Sequence, residues 1–600
     1  MIRSVAYLKA VLAGMAGAIA WEVLARLLIW AGAPFFDLVM TLGTLALPHA
    51  QAWQAWLAGM LLHLLVGAIW AVFYAYFFWS VLPLRPVLQG LVFTFVPMPL
   101  AIFIMHPQFD LMHLHVQSGV MSSSGLFGLS GGAHEPLSIA GGHLIWGTVL
   151  GLLYTRPVGY PVNRPPALSC RPGESQPRVS SAAEPADHRF MFATGIECSY
   201  PTLECGQWRM DQMAACGHYR YWRTDLQLVR ALGLHYLRYG PPLHLIYRGS
   251  GQYDWAFLDE VAAEMQRLGI VPIMDLCHFG LPDWLQNFQN PEVSQALADY
   301  ARAFARRYPW VQFYTPVNEM YVCAKLSALE GLWNEQCRDE QSFVTAVRHL
   351  AKANVLMMQA IAAERSDAVF INSESGEFYQ PCCPDPEVRR IANLENERRF
   401  LPLDLLYAHP VHEDIRAYLH QHGMPDEEYA WFMQQDVRRR SILGVDYYER
   451  NEKLIDSNGH AQALGELFGW YAVAGQYYQL YRRPLMHTET NRMDAREGPR
   501  WLWRQWHNVQ LIRQAGVPVV GFTWYSLTDQ VDWDIALREL LGNVNPVGLF
   551  DLNRDPRTVG LAYQHLIRLF EDDLSKAPCI EAVLEHALRI TAREGRRFHV

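Results

Sequence analysis

Four long apolar stretches in the first quarter of the chain limit what that part can fold into. They cover residues 6–32, 55–80, 87–106 and 137–155. Each is close to the roughly 20 residues that a helix needs to cross the hydrocarbon core of a bilayer. A secretory signal peptide would be shorter and would not be followed by three further spans. The sequence therefore predicts an all-α membrane domain of about four transmembrane helices over residues 1–158.

The basic residues near these spans predict an orientation. The 33–54 and 107–136 connections contain no Lys or Arg, whereas the other flanks carry Arg3, Lys9, Arg85, Arg156, Arg164 and Arg171. Because positive charge marks the cytoplasmic side, we expect the rest of the chain to be cytoplasmic, at an inner or plasma membrane. The ten cysteines all lie at or after Cys170 without regular spacing, which is typical of reduced thiols. An apolar segment at 36–49 is the alternative: as part of a fifth span it would reverse this orientation.

Polar residues of the membrane domain allow two interpretations. Glu22 and Arg26 lie four apart in the first span, where a charge is costly and often functional, although such a pair also compensates itself. The histidine-containing 107–136 connection matches no common metal-site spacing, although it holds His113, His115, His134 and Glu135. We therefore predict no metal and no cofactor. The net charge of −9 without a basic stripe gives no indication of nucleic acid as a partner.

A segment rich in Pro, Ser and Arg separates the membrane domain from the remainder. Residues 159–188 read GYPVNRPPALSCRPGESQPRVSSAAEPADH, a composition that predicts a linker. As a flexible coil it would reach about 30 Å on average. Beyond it, strand-like runs alternate with helical patterns at 191–197, 234–240, 271–277, 311–317, 368–374, 442–448, 484–490 and 519–525.

Eight strands separated by helices predict a parallel (β/α)8 TIM barrel, so the fold class is α/β after an all-α membrane domain. We place the barrel at residues 189–575 and a C-terminal tail at 576–600. Glu319 follows the fourth strand-like run, and Glu489 lies near the end of the seventh. Active sites of this fold lie at the carboxyl ends of the strands, so both carboxylates are expected in one pocket. The alternative is that they are solvated loop acids.

Six motifs in consistent order resemble glycoside hydrolase family 1, the β-glucosidase-like retaining enzymes, over residues 190–570. VNEM resembles the family's Asn-Glu-Pro motif, and HTETN resembles Thr-Glu-Asn-Gly. The others are CHFGLPDWL, ILGVDYYERN, YSLTDQVDW and LRYGPP. The resemblance implies that Glu319 is the acid/base and Glu489 the nucleophile, with carboxyl groups roughly 5 Å apart. It also implies that Arg238 keeps Glu489 ionised, while burial and nearby negative charge raise the pKa of Glu319.

The same resemblance implies a set of sugar-binding residues. His278 and Asn318 match hydroxyl ligands, and Tyr448 matches a tyrosine that bonds the nucleophile. Trp533 and Tyr525 would supply aromatic surface. Departures from the family pattern are Met320, Phe279, Gly280, Asp446 for an asparagine, Tyr525 for a tryptophan and Asp532 for a glutamate, with Glu197 in place of a glutamine. Because these departures affect the sugar subsite, the resemblance does not identify the sugar.

These observations favour a membrane-anchored retaining glycosidase or transglycosidase that works by double displacement. Its expected partners are a carbohydrate or glycolipid substrate and the membrane, and the membrane tether points to a lipid-linked or membrane-associated glycan. The alternative is a catalytically silent sugar-binding or scaffold module attached to a membrane protein. The oligomeric state and the sugar are not predicted.

Overall fold

The computed structural model describes residues 7–33, 35–78, 86–130, 132–154, 160–161, 188–196 and 198–595. The chain divides into two units. One comprises Met1–Val158 with Leu540–Val544, and the other comprises Gly159–Glu539 with Asn545–Val600. Most of the predicted linker lies outside the described residues.

The first unit is helical, and four of its helices are long and apolar enough to cross a membrane. They are Tyr7–Trp30, Ala52–Phe78, Val87–Met112 and His134–Leu153. Within the third span the α-helical geometry changes to a π-helical turn at Ala101–Met105. The segment at 36–49 contains the helix Leu38–Ala46. At 1.5 Å per residue this helix is about 14 Å long, which is too short to cross a bilayer.

Small residues bring the helices of this unit into close contact. A Cβ atom at Gly14 would lie 2.4 Å from the carbonyl oxygen of Gly67, and one at Gly90 would lie 2.2 Å from that of Gly147. Trp146 Nε1 donates a hydrogen bond of 3.1 Å to the carbonyl oxygen of Gly14. Such backbone-to-backbone approach is typical of membrane helices, where packing rather than hydrophobic burial drives association.

Glu22 and Arg26 of the first span are paired with each other, and Arg26 is also paired with Asp37. Arg26 Nε donates to Glu22 Oε1 at 2.5 Å. The same guanidinium group donates to both carboxylate oxygens of Asp37, at 2.9 and 2.8 Å. Each charge therefore has an opposite partner, which favours the structural interpretation of the Glu22 and Arg26 pair.

The side chains of His113 and His115 in the 107–136 connection bond to their own unit. His113 Nε2 lies 3.0 Å from Thr44 Oγ1, and His115 Nε2 lies 2.7 Å from the carbonyl oxygen of Pro48. Among the described residues neither belongs to a group of three or more potential metal ligands. These contacts join the connection to the loop and helix that follow the first span.

The second unit contains a closed barrel of eight parallel strands in sequential order. We number them β1 Met191–Ile196, β2 Tyr236–Tyr239, β3 Val271–Asp275, β4 Phe313–Thr315, β5 Val369–Ser375, β6 Ser441–Asp446, β7 Leu485–His487 and β8 Val519–Trp524. Each lies within one of the eight runs predicted from the sequence or extends beyond it by a single residue. These strands are mostly buried, since helices cover the outside of the barrel and side chains fill the inside. The predicted TIM barrel is confirmed.

Helices follow every strand. The main ones are His218–Ala231, Ala256–Leu268, Val293–Arg307, Glu340–Glu364, Pro386–Arg398, Gly469–Tyr481, Gly498–Gln514 and Thr558–Leu574. Short helices and strands lie in the loops at the carboxyl ends, including the helix Met320–Ala324 after β4 and the strands Phe378–Pro381, Glu452–Ile455 and Ala461–Ala463 after β5 and β6. These loops surround the candidate site.

A further helix, Ile580–Gly595, occupies the region that the sequence predicts to be a tail. Ile580 and Leu584 are buried in one cluster with barrel residues such as Met191, the first residue of β1. The backbone N–H of Ile580 donates to the carbonyl oxygen of His188, just before β1, at 2.8 Å. The helix therefore packs at the amino ends of the strands, opposite the candidate site.

Candidate active site

Five predicted site residues meet at the carboxyl ends of the barrel strands. Arg238 lies in β2, Asp446 is the last residue of β6, and Tyr525 directly follows β8. Glu319 lies four residues after β4, and Glu489 lies two residues after β7. All five side chains are buried. The short β4 and β7 strands end early enough for the following residues to turn inward.

Three carboxyl groups lie close together at the centre of this arrangement. Glu319, Asp446 and Glu489 each place a carboxylate oxygen within 4.8 Å of the others. For Glu319 and Glu489 this upper limit on one pair of oxygen atoms is compatible with carboxyl groups roughly 5 Å apart, the separation expected of a retaining enzyme. The backbone of Glu319 is left-handed, with φ of 39°, and its N–H donates to the carbonyl oxygen of Ser373 at 3.0 Å. A non-glycine residue in this conformation is strained, and such strain is common at functional sites.

Glu489 has positively charged and hydroxyl donors around it. Arg238 Nη1 donates to Glu489 Oε1, and the Tyr448 hydroxyl donates to Glu489 Oε2 at 2.6 Å. Arg238 also donates to Asp275 at 2.9 Å and to the amide oxygen of Asn318. One buried guanidinium group thus holds three side chains from the carboxyl ends of β3, β4 and β7. Both oxygens of Glu489 receive a hydrogen bond, which favours its ionised form.

The surroundings of Glu319 favour its protonated form. Burial raises the pKa of Glu319 well above its ordinary value, and the carboxyl groups of Asp446, Glu374 and Glu377 act in the same direction. Arg238 opposes them. The charged form is disfavoured both by loss of water and by neighbouring negative charge. Two glutamates with carboxylate oxygens within 4.8 Å of each other therefore differ in their preferred protonation state.

His278 and Asn318 are held in fixed orientations. His278 Nδ1 lies 2.7 Å from Asp275 Oδ2 and donates its proton to it. His278 Nε2 then accepts from Asn318 Nδ2 at 3.4 Å. Asp275, which the sequence motifs did not single out, joins Arg238 and His278. The sequence could have indicated Asp275, because this residue lies within the third strand-like run.

The aromatic residues differ in burial. Tyr525 stacks parallel to His278, with ring centroids 6.2 Å apart, and Arg238 lies 5.6 Å from the centre of the Tyr525 ring. A Cβ atom at Gly195 in β1 would lie 2.0 Å from the same ring, so only glycine fits there. Trp533 is half-buried against Phe279, with ring centroids 6.0 Å apart. Trp533 thus keeps exposed aromatic surface in the β8 loop.

Two further predicted residues have different outcomes. Asp532 is buried in the loop after β8, and its backbone is left-handed with φ of 61°. Glu197 lies outside the described residues, so its predicted role stays a prediction. Next to it, Cys198 is buried and its sulfur lies within 4.8 Å of ligand atoms of Asp275 and His278. A thiol therefore borders the predicted sugar subsite.

Glu374 is a functional candidate that the sequence motifs missed. It lies in β5, is fully buried, and accepts hydrogen bonds from the backbone N–H groups of Tyr321 and Ser375, at 3.2 Å each. Burial raises the pKa of Glu374 well above its ordinary value. A glutamate at the end of the fifth strand-like run was the available signal. It is the same pattern that singled out Glu489.

Comparison with known proteins finds a matching family model and several relatives. Residues 201–426 match the model of Glycosyl hydrolase family 1. The chain is 22% identical to Beta-glucosidase A of Thermotoga maritima over 365 residues, which is 53% of this chain and 79% of that protein. It is 21% identical to a 1,4-beta-D-glucan glucohydrolase of Thermotoga neapolitana over 404 residues, 59% of this chain and 87% of that protein.

Solved structures show the same barrel. The structure of a family 1 b-glucosidase from Thermotoga maritima superimposes with a TM-score of 0.53 at 16% sequence identity. The match covers 63% of this chain and 97% of that chain. At this identity the likeness shows the fold alone. Nearly the whole of the solved chain is matched, whereas more than a third of this chain has no counterpart in it.

Proposed function

We propose that the barrel unit, whose residues 201–426 match the model of Glycosyl hydrolase family 1, is a retaining glycosidase in which Glu489 is the nucleophile and Glu319 the acid/base. One observation carries this proposal: two buried carboxyl groups lie within 4.8 Å of each other in opposite electrostatic surroundings. Retaining enzymes place their two carboxyl groups about 5 Å apart, whereas inverting enzymes leave roughly 6.5–9.5 Å for a water molecule.

In the first step, Glu489 attacks the anomeric carbon and Glu319 gives its proton to the leaving oxygen. The glycosidic bond breaks, and a covalent ester forms between the sugar and Glu489. Arg238 and Tyr448 hold the Glu489 carboxylate ionised and oriented before the attack. The buried, negatively charged surroundings of Glu319 keep the proton available at neutral pH.

In the second step, Glu319 acts as a base on the incoming nucleophile. It removes a proton from water or from an acceptor hydroxyl group, whose oxygen attacks the anomeric carbon and releases Glu489. Water gives hydrolysis, and a hydroxyl group of another molecule gives transfer. The anomeric configuration is retained in both cases because two displacements occur at the same carbon.

Recognition of the sugar is assigned to polar groups around these carboxylates. His278 and Asn318 present fixed hydrogen-bonding atoms, Asp532 adds a carboxylate from the β8 loop, and Trp533 adds an apolar face. Hydroxyl groups need such donors and acceptors, while the flat face of a sugar ring packs on an aromatic side chain. The relatives include β-glucosidases, but Asp532 and Tyr525 differ from the family pattern, so the panel of test sugars should be broad.

The four apolar helices support a membrane-anchored enzyme whose substrate is lipid-linked or membrane-associated. Tethering an enzyme to a bilayer raises its effective concentration for other molecules held there. Native membrane lipid extracts, incubated with the detergent-solubilised full chain, are expected to yield a released sugar or a transferred glycolipid. Mass spectrometry of the extract detects both products, and Glu489→Gln should yield neither.

The decisive experiment is labelling with a mechanism-based fluorinated sugar. Fluorine slows both steps, and an activated leaving group restores the first one, so the ester accumulates. Intact-protein and peptide mass spectrometry of the full chain should locate the adduct on Glu489. Glu489→Gln should not be labelled.

Glu497→Gln is the matched control, because Glu497 precedes the helix after β7 and its side chain is 47% exposed. It should be labelled like the wild type. Turnover of aryl glycosides without any adduct on Glu489 would contradict the assignment of the nucleophile. Absence of both turnover and labelling across the sugar panel would favour the silent sugar-binding module.

A further inference from the structure

Asp446, at the end of β6, is surrounded by hydroxyl and carboxyl groups. Its side chain is fully buried. The Ser373 hydroxyl lies 2.9 and 2.8 Å from its two carboxylate oxygens and 3.0 Å from the Thr488 hydroxyl. A carboxylate oxygen of Glu319 lies within 4.8 Å of one of Asp446. These contacts come from the carboxyl ends of β4, β5 and β7, so Asp446 joins three other strands of the site.

We propose that Asp446 and Glu319 form a buried carboxyl pair that holds one proton between them, which makes Asp446 a positioning residue for the acid/base. This inference rests on the proposed function. The inference goes beyond the proposed function, because a role of Asp446 in binding the sugar would not require it to share a proton with Glu319. In the pair, the protonated carboxyl group donates to the ionised one, so the position of the proton is fixed by geometry.

The charged groups around Glu319 and Asp446 favour one shared proton over two ionised carboxyl groups. The charged and titratable groups that act on the pair are Arg238 from β2, Glu374 and Glu377 from β5 and its loop, and Tyr477 from the helix after β6, while Glu489 after β7 lies within 4.8 Å. Around these, Asp275 contacts Arg238, Tyr448 contacts Glu489, His278 contacts Asp275, and Tyr525 lies over Arg238. Carboxyl groups outnumber the guanidinium group among these neighbours, and one of them, Glu377, is paired with the Lys453 ammonium group at 2.6 Å.

Arg238 cannot neutralise all of these carboxylates. Its hydrogen bonds go to Glu489, Asp275 and Asn318, whereas the hydroxyl group of Ser373 bonds to Asp446 and a carboxylate oxygen of Glu319 lies within 4.8 Å of one of Asp446. Two carboxyl groups this close together in a buried site do not both ionise readily near neutral pH. Burial also raises the pKa of Asp446 above its ordinary value, which agrees with a shared proton.

The pair fits both steps of the reaction. In the first step its single proton moves from Glu319 to the leaving oxygen as the glycosidic bond breaks, and the pair becomes a dianion. In the second step the dianion takes one proton from water or an acceptor hydroxyl group, and the attacking oxygen forms the new bond. The negative charge of Asp446 makes Glu319 a stronger base at that stage. An asparagine at this position would supply neither the charge nor the second proton site.

The test is the pH profile of kcat/KM for wild type and Asp446→Asn, measured on a substrate with a poor leaving group. The acid must be protonated, so activity falls as pH rises through the pKa of the pair. Removing the negative neighbour lowers that pKa, and we expect the alkaline limb to move down by about one pH unit or more. With an activated aryl leaving group, which needs little protonation, the shift should be much smaller.

Glu374→Gln is the control. Glu374 is equally buried and also raises the pKa of Glu319, but its carboxylate accepts from backbone N–H groups. Its alkaline limb should move less than that of Asp446→Asn. Equal shifts would mean that only the total charge matters, and would overturn the specific pair. An unchanged alkaline limb in a folded, active Asp446→Asn would also overturn it.

A second measurement covers the case in which Asp446→Asn does not fold. Infrared difference spectra of the wild type, with Glu319→Gln as reference, should show the protonated carboxyl band titrating in two steps, as coupled groups do. A single step would refute the pair. Absence of both turnover and labelling in the wild type would instead refute the proposed function. Failure of the carboxyl pair and failure of the proposed function are therefore distinguishable.

Discussion

Glu489 lies between a guanidinium group and a phenol, whereas Glu319 lies against another carboxyl group. Arg238 and Tyr448 donate to both oxygens of Glu489. Asp446 and Glu374 place negative charge next to Glu319. The neighbours thus favour the ionised form of Glu489 and the protonated form of Glu319, which is the difference that the proposed roles of nucleophile and acid require.

This division predicts the behaviour of Glu319→Gln. Turnover should fall by orders of magnitude for substrates with poor leaving groups, and only modestly in the first step for activated aryl glycosides, because these leave without protonation. Added azide should restore turnover of activated substrates, since this anion attacks without a general base. The measurement is kcat/KM against leaving-group pKa. Equal losses over the whole series would refute Glu319 as the acid.

A second prediction concerns the contact between Gly195 and Tyr525. In Gly195→Ala the new methyl group would lie 2.0 Å from the Tyr525 ring, and overpacking of this kind costs about 1–3 kcal/mol. Because Tyr525 stacks on His278, both the melting temperature and kcat/KM should fall. Gly475→Ala is the control, since no atom outside its own stretch of helix lies within 4 Å of the position its methyl group would take. A similar loss there would contradict the steric explanation.

At the scale of elements, the strands were predictable and the contacts between them were not. Each strand is a short apolar run bounded by polar or turn residues, and this local signal identified all eight. The proximity of Glu319 and Asp446, whose carboxylate oxygens lie within 4.8 Å of each other, brings together residues more than a hundred positions apart, and no local pattern indicates it. Glu374 lies at the end of a strand-like run, as Glu489 does, but the residues around Glu374 do not resemble a motif of the family.

The C-terminal helix illustrates the same limit. Ile580, Val583, Leu584 and Ala587 recur at helical spacing, so an amphipathic helix was readable from the sequence. Its partner was not, because the residues it covers come from the amino ends of strands more than a hundred residues apart. The helix closes the end of the barrel that lies opposite the site, where contacts serve stability.

This packing predicts that Leu584→Ala destabilises the barrel. Leu584 is 3% exposed in the core cluster, and truncating a buried leucine costs about 2–5 kcal/mol. Leu561→Ala is the matched control on the helix Thr558–Leu574, because Leu561 is 56% exposed and should change stability by less than about 0.5 kcal/mol. Thermal unfolding of the full chain in detergent compares them. Equal effects would show that the helix does not contribute to the core.

At the scale of the whole molecule, the number of spans decides on which side of the membrane the barrel lies. Four helices in the described residues meet the length and hydropathy expected of spans, and Leu38–Ala46 is too short to be a fifth. An even number returns the chain to its starting side. From the sequence, the basic residues Arg3, Lys9, Arg85 and Arg156 are all expected on that side, and the positive-inside rule predicts that it is the cytoplasmic one.

We therefore predict a cytoplasmic barrel, which paired reporter fusions test in intact cells. Green fluorescent protein fused after Val600 should fluoresce, and alkaline phosphatase fused at the same position should be inactive. Fusions after Gly119, in the connection between the third and fourth spans, should behave in the opposite way and serve as the control. External protease should cleave that connection and spare the barrel. Phosphatase activity of the C-terminal fusion, together with cleavage of the barrel from outside, would place the site outside the cytoplasm, and an extracytoplasmic polysaccharide would then be the better substrate to test.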